Sequence, residues 1–100
     1  MPTFVMVTRM DSGAVSSPQD LEELEKAAMA RIREQCPEVK WQQSFAVLGP
    51  YDYVDIFDAP DTAAAQKVSM LIRAFGRAHS EIWPASSWRD FKETLHGLSA

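Results

Sequence analysis

The chain has 100 residues and a single cysteine, Cys36, and it has few basic residues and no long apolar run. One cysteine cannot form an intramolecular disulfide, and it excludes metal sites that are built from several cysteines. Lysine and arginine number 10 against 14 acidic residues, so the sequence lacks the basic footprint that binds phosphate backbones. Nucleic acid is therefore not an expected partner.

Membrane and export signals are also missing. No segment approaches the ~20 consecutive apolar residues that a membrane-spanning helix needs. The first residues do not combine a basic region, an apolar run and a cleavage site, as a signal peptide does. We therefore expect a cytoplasmic protein with no membrane partner, folded as one domain over residues 1–100.

Hydrophobic periodicity predicts seven secondary-structure elements. Ser17 followed by Pro18 is typical of a helix start, and Asp61 has the same capping role further along the chain. Gly76 is placed to end the second helix and Pro84 to end the last strand. In chain order, we predict a strand over 3–8, a helix over 18–35, strands over 41–48 and 53–57, a helix over 62–75, a strand over 79–83 and a short helix after 87. The last helix is expected to dock through Trp88, Phe91 and Leu95.

The segment 41–59 contains the most informative turn, Gly49-Pro50-Tyr51-Asp52. Gly49 can take the positive φ that other residues avoid, and Pro50 suits the second position of a tight turn. Asp52 can hydrogen-bond to its own backbone neighbours in the turn.

The order of residues around this turn resembles the signature of the GYD-domain family. A strand ends in Leu48-Gly49, Pro50 follows, and Tyr51-Asp52 opens an apolar strand that runs into Asp58-Ala59-Pro60. The resemblance implies a ferredoxin-like fold similar to the dimeric α/β-barrel group, in which two sheets face each other in a homodimer.

The element order itself is the split βαβ pattern of a ferredoxin-like α+β domain, βαββαβ with a short C-terminal helix. Its four-stranded antiparallel sheet carries two helices on one face. Because Val54 and Ile56 form an aliphatic pair, we expect their side of the third strand to meet the helices. The bare face is then predicted to hold Tyr53, Asp55, Phe57, His79, Glu81 and Trp83, with either Phe4 and Met6 or Val5 and Val7. So apolar a face predicts a partner, either in a homodimer or in a higher homo-oligomer.

The candidate catalytic residues are His79, Asp55 and Glu81. His79 and Glu81 lie two apart on a strand and so share a face, which Asp55 could join from across the sheet. His79 would act as a general base or as a metal ligand, with the carboxylates orienting it or sharing the ion. In the structural alternative, His79 lies at the entry of the strand and Glu81 forms a hydrogen-bonded or solvated pair at the dimer seam. No second histidine lies at a fixed spacing and no glycine-rich phosphate loop is present, so no metal and no cofactor are expected.

The candidate ligand-binding residues are Tyr51, Tyr53, Phe57 and Trp83, whose rings would line an apolar cavity. The leading hypothesis is a homodimer that binds a small, mainly apolar molecule between its sheets or between sheet and helices. One alternative, implied by relatives of the fold, is a cofactor-free monooxygenase- or isomerase-like enzyme. A second alternative is a structural or regulatory subunit of a larger assembly.

Overall fold

The structure, a computed structural model, describes residues 1–13 and 16–98, so residues 14, 15, 99 and 100 of the predicted domain lie outside the described part. All seven predicted elements are confirmed in their predicted order. They are β1 (Thr3–Met10), α1 (Pro18–Gln35), β2 (Lys40–Ala46), β3 (Tyr53–Asp58), α2 (Thr62–Phe75), β4 (Ala78–Ala85) and α3 (Trp88–His96). Within the described ranges, no helix is long and apolar enough to cross a membrane.

Both long helices begin at the predicted caps. The Ser17 hydroxyl accepts a hydrogen bond from the backbone N–H of Asp20 at 3.2 Å, and the Asp61 carboxylate accepts one from Ala64 at 2.8 Å. A cap of this kind stabilises a helix by about 1 kcal/mol, because it satisfies an N–H group that has no partner within the helix.

The four strands form one antiparallel sheet in the order β2-β3-β1-β4, which confirms the ferredoxin-like topology. β1 is central and pairs Phe4 with Phe57 on β3, while β4 occupies one edge. The core lies between one sheet face and helices α1 and α2. It comprises Phe4, Met6, Ile32, Cys36, Phe57, Ala59, Ala65, Val68 and Leu71.

The predicted orientation of β3 is wrong. Phe57 is fully buried, and Asp55 pairs with the buried Met6, so the side of β3 that carries them faces the helices. Val54 and Ile56 therefore lie on the opposite side. The pattern misled because β3 is apolar on both faces, and the helix side is filled by stacked aromatic rings rather than by the aliphatic pair. The ring of Phe57 stacks on Phe4 at 6.0 Å and on Trp41 at 5.1 Å between ring centroids.

A β-bulge in β2 brings Trp41 into this stack. Trp41 pairs with Phe57 and Gln43 with Ile56, which are adjacent residues of β3, so Gln42 is an extra residue in β2. A bulge of this kind shifts the alternation of side chains between the two faces. Trp41 consequently points to the helix side together with Ser44 rather than with Gln43.

The side of the sheet away from the helices is the open face, which we define by Val5, Val7, Phe45, Val54, Ile56 and Trp83. Of the two pairs predicted for β1, the structure therefore places Val5 and Val7 here. Phe45 is 48 % exposed and Trp83 is 45 % exposed. No helix of the described chain covers this face.

Three further expectations are corrected. Helix α3 has no buried residue, and Trp88, Phe91 and Leu95 are 67 %, 43 % and 42 % exposed, so it does not dock on its own chain. Pro84 continues β4, where it pairs with Phe4; an edge strand tolerates proline because one side of its backbone needs no partner.

The turn at 49–52 also differs from the prediction. Among the described glycines only Gly13 has a positive φ, so Gly49 does not need one. Asp52 holds the turn against β1 instead of bonding within the turn: its carboxylate accepts from the Met10 N–H at 2.8 Å, and its own N–H donates to the Thr8 carbonyl at 2.8 Å.

Candidate functional site

The predicted site residues separate onto two faces of the sheet. Tyr53, Asp55 and Phe57 lie on the helix side, whereas His79, Glu81, Trp83 and Tyr51 lie on the open face. The structure therefore does not bring Asp55 together with His79 and Glu81, since the sheet lies between them. Phe57 is part of the core, where it contacts other rings.

A cavity of about 280 Å³ lies on the helix side, between the sheet and α1, beyond the aromatic stack. Its volume is near the lower end of the range for small-molecule sites. The walls come from every strand and from both long helices. They are Thr8, Met10, Leu21, Leu24, Glu25, Ala28, Met29, Trp41, Ser44, Phe45, Ala46, Tyr53, Asp55, Ile72, Gly76 and Ala78.

Asp55 is the only aspartate on this wall among the described residues. Burial raises the pKa of the Asp55 carboxyl above its ordinary value, and the negative charge of Glu25 adds to the rise. A hydrogen bond with the hydroxyl of Ser44, its cross-strand partner, opposes this shift. Ser44 in turn accepts from the indole N–H of Trp41 at 2.8 Å. A carboxyl in this setting can accept a proton or donate one within the cavity.

Thr8 adds an unpaired hydroxyl to the same wall. Thr8 is 4 % exposed, and its Oγ1 has no hydrogen-bond partner within residues 1–13 and 16–98. A buried hydroxyl without a partner costs about 1–3 kcal/mol. An atom held in the cavity beside Thr8 could remove that cost.

Tyr53 and Glu25 complete the polar part of the wall. Burial raises the pKa of the Tyr53 hydroxyl, and the charges of Asp52, Glu25 and Asp55 raise it further, so Tyr53 stays a neutral donor. Glu25 comes from α1 and lines the cavity at its solvent-exposed rim. Sequence reasoning missed Thr8 and Glu25, because nothing in a helical stripe or an alternating strand shows which residues will face an unfilled space.

On the open face, Glu81 is the centre of a polar cluster. Its Oε2 accepts from the Tyr51 hydroxyl at 2.7 Å and lies 3.4 Å from His79 Nε2, and its Oε1 accepts from the Trp83 N–H at 3.3 Å. The hydrogen bond from Tyr51 is the main reason that the pKa of Glu81 is lowered, and the same bond raises the pKa of Tyr51. Because β1 lies between β3 and β4, this bond carries the Tyr51 side chain across β1, where the ring meets Trp83 edge-on.

This cluster is arranged to hold side chains in place. Each Glu81 oxygen already accepts from a neighbouring donor, and His79 is partly exposed at the surface of the sheet. The geometry fits the structural alternative that the sequence left open for His79 and Glu81.

The fold and its connectivity define this protein as a ferredoxin-like α+β protein, with a cavity between the sheet and the helices. The GYD domain family matches residues 4–95, so the chain belongs to that family. This confirms the resemblance drawn from the turn at 49–52. The search of curated proteins finds no match.

Solved structures with the same fold come from several organisms. The protein TTHA0845 from Thermus thermophilus is similar over 87 % of this chain and 95 % of its own, with 22 % identity and a TM-score of 0.58. The hypothetical protein PHS023 from Pyrococcus horikoshii is similar over 87 % of this chain and 92 % of its own, with 17 % identity and a TM-score of 0.54.

The leucine response regulatory protein LrpA from Mycobacterium tuberculosis is similar over 87 % of this chain but only 52 % of its own, with 14 % identity and a TM-score of 0.58. At these identities the likeness establishes the fold alone.

We expect Thr8→Val to stabilise the protein. Valine has nearly the shape of threonine but no hydroxyl, so the cost of the unpaired group disappears and the free energy of unfolding should rise by about 1 kcal/mol. The control is Thr3→Val on the same strand, which removes a hydroxyl that donates to Asp58 at 2.7 Å and should lower that free energy. Urea denaturation of both variants measures the difference, and a loss of stability in Thr8→Val would contradict the assignment.

We expect Asp55→Asn to change how stability depends on pH. Since the pKa of Asp55 is raised in the folded state, folding favours its protonated form, and stability falls as the pH rises through the range in which Asp55 ionises. The asparagine variant lacks this loss. Unfolding curves are measured from about pH 3, below the ordinary aspartate pKa, up to neutral pH. The free energy of unfolding of the variant should rise relative to that of the parent protein as the pH increases. If the free energy of unfolding depends on pH in the same way in both proteins, the raised pKa of Asp55 is refuted.

Proposed function

We propose that this chain acts in the cytoplasm as a homodimer, each protomer of which binds a small, mainly apolar molecule in the cavity between its sheet and its helices. The observation that carries the proposal is the cavity itself: a mainly apolar, partly open pocket that also contains a half-buried carboxyl at Asp55 and an unpaired hydroxyl at Thr8. Ligand sites in proteins commonly combine apolar walls with a few polar groups in this way.

The apolar part of the wall favours a flat or compact hydrocarbon body. Aliphatic side chains come from the helices, with Leu21, Leu24 and Met29 on α1 and Ile72 on α2, and the ring of Trp41 comes from β2. Burial of apolar ligand surface against them contributes about 25 cal/mol per Å². The polar groups fix the orientation of the ligand rather than supply most of its affinity.

The homodimer is proposed from the open face. Valine and isoleucine side chains form its centre, and charged residues of both signs, Arg9 and Asp58, lie at positions of the same face nearer its ends. A patch with an apolar centre and a rim of mixed charge can pair with a copy of itself around a two-fold axis.

The sheet alone supplies about half of a standard interface. Four strands about 4.8 Å apart and roughly 7 residues long at about 3.3 Å per residue give a face of roughly 19 by 23 Å. A stable interface takes about 800 Å² of accessible surface from each partner. The flat outline of the face is therefore about 440 Å², so the exposed apolar side chains of α3 would have to add to the interface in the dimer that we propose.

Proton transfer within the same cavity is a second candidate function. A carboxyl whose pKa is raised by burial, close to the hydroxyls of Tyr53 and Ser44, is the arrangement that general acid–base chemistry requires. In that case Asp55 would move the proton for an isomerase-like reaction, rather than His79.

Binding to the cavity is tested with phenethyl alcohol, a neutral probe with one ring and one hydroxyl. With nine non-hydrogen atoms we expect a Kd of roughly 1 mM, or about 0.5 kcal/mol per atom, which is within the usual limit for small ligands. Ala28→Leu adds a side chain to the cavity wall and should weaken binding several-fold, measured by ligand-observed NMR.

The matched control is Ala27→Leu, at the neighbouring exposed position of α1. It should bind the probe as the parent protein does. Thermal unfolding of both variants checks that they are folded. Equal binding by the two leucine variants would rule out this cavity as the site.

The homodimer is tested by Ile56→Lys, which places a charge in the middle of the open face. We expect the parent protein to have twice the mass of one chain in native mass spectrometry and in sedimentation, and the variant to have the mass of one chain. Ala63→Lys, at an exposed position of α2, is the control and should stay dimeric. A monomeric parent protein would disprove the dimer, and a mixed complex would favour the subunit alternative.

A further inference from the structure

We propose that the ligand of this cavity is an amine cation with an apolar body, held by the carboxylates of Asp55 and Glu25. The inference rests on the binding function proposed above and names its ligand class. It follows from the charge, the hydrogen-bonding capacity and the aromatic character of the wall, which point to the same kind of molecule.

The wall carries charge of one sign. Glu25 and Asp55 are acidic, and no lysine, arginine or histidine lines the cavity within residues 1–13 and 16–98. The two carboxyl groups are close enough for the charge of Glu25 to act on both Asp55 and Tyr53. A carboxylate or phosphate ligand would meet uncompensated negative charge here, whereas a cation would relieve it.

The hydrogen-bonding capacity that remains unused is mostly that of acceptors. The Trp41 N–H donates to Ser44 and the Ser44 hydroxyl bonds to Asp55, so the further donors of the wall are the hydroxyls of Tyr53 and Thr8. A second oxygen of Asp55, the carboxylate of Glu25 and the lone pairs of Thr8 Oγ1 are left to accept. An ammonium group has three donors and no acceptor, so it matches a wall whose unused groups are mainly acceptors.

The rings beside these acceptors support the same assignment. The side chains of Trp41 and Tyr53 line the cavity on the same side of the sheet as Asp55, so a cation placed near Asp55 has aromatic neighbours. The face of an aromatic ring attracts a cation, and the attraction is stronger where water is excluded. An apolar body attached to the amine would then occupy the space against Leu21, Leu24 and Ile72.

Binding of an amine should be linked to ionisation of Asp55. The titratable residues of the cavity wall are Glu25 from α1 and Tyr53 and Asp55 from β3; the wall residues of β1, β2, α2 and β4 have no titratable side chain. A cation beside Asp55 stabilises its charged form, so affinity for the amine should increase as the pH rises through the range in which Asp55 ionises. Affinity for a neutral probe should not follow this trend.

The test compares three probes that share one phenyl ring: phenethylamine, phenethyl alcohol and phenylacetate. Titrations near neutral pH, followed by calorimetry and ligand-observed NMR, should show the amine binding about tenfold tighter than the alcohol, the effect expected of one charge-assisted hydrogen bond. Phenylacetate should bind most weakly. Asp55→Asn should reduce affinity for the amine to that for the alcohol, and Glu25→Gln should reduce it in part.

The control for these variants is Glu22→Gln, the same chemical change on the same helix at an exposed position that does not line the cavity. It should leave all three affinities unchanged. Equal affinities for amine and alcohol, or a preference for phenylacetate, would overturn the amine assignment while the apolar binding site stands. Failure of all three probes to bind would overturn both.

Discussion

Packing of three aromatic rings on one side of the sheet determines the rest of this structure. Phe57 stacks on Phe4 of the neighbouring strand and on Trp41 of the other neighbour, so one continuous layer of rings spans β2, β3 and β1. Rings of this size contribute a large share of the apolar surface that a small domain can bury. Their position fixes which face of the sheet α1 and α2 must cover.

The same constraint creates the cavity. Phe57, Asp55 and Tyr53 follow one another on one side of β3 because side chains alternate along a strand. The stack fills the space at Phe57, whereas Asp55 has the small side chain of Ser44 as its partner on β2 and faces the cavity. Polar groups are therefore enclosed at the place where the core ends. On the open face, the polar cluster around Glu81 is satisfied by its own neighbours.

Much of the fold could be predicted from the sequence. Caps at Ser17 and Asp61, helical spacing and the turn at 49–52 gave the elements and their order, since these signals are local. The facing of β3 could not be predicted, because Val54 and Ile56 compete with Tyr53 and Phe57 on a strand that is apolar on both sides. The orientation of β3 depends on Trp41, which stacks on Phe57. The orientation of Trp41 depends in turn on a β-bulge that has no recognisable pattern in the sequence.

The wrong orientation of β3 also affected the prediction of the candidate site. Asp55 and Tyr53 were identified as functional residues, but the reversed strand grouped them with His79 and Glu81 instead of Thr8 and Glu25. An orphaned hydroxyl such as that of Thr8 can be recognised only when its three-dimensional surroundings are known. For α3, the apolar stripe was predicted correctly, but a stripe does not reveal whether its partner belongs to the same chain.

The central claim, that the functional site lies under the helices rather than on the open face, is tested most directly by mapping a bound probe. Nuclear Overhauser effects between phenethylamine and protein methyl groups report which side chains lie beside the bound ring. The account predicts contacts to Leu21, Leu24 and Ile72. Contacts confined to Val5, Val54 and Ile56 would contradict it.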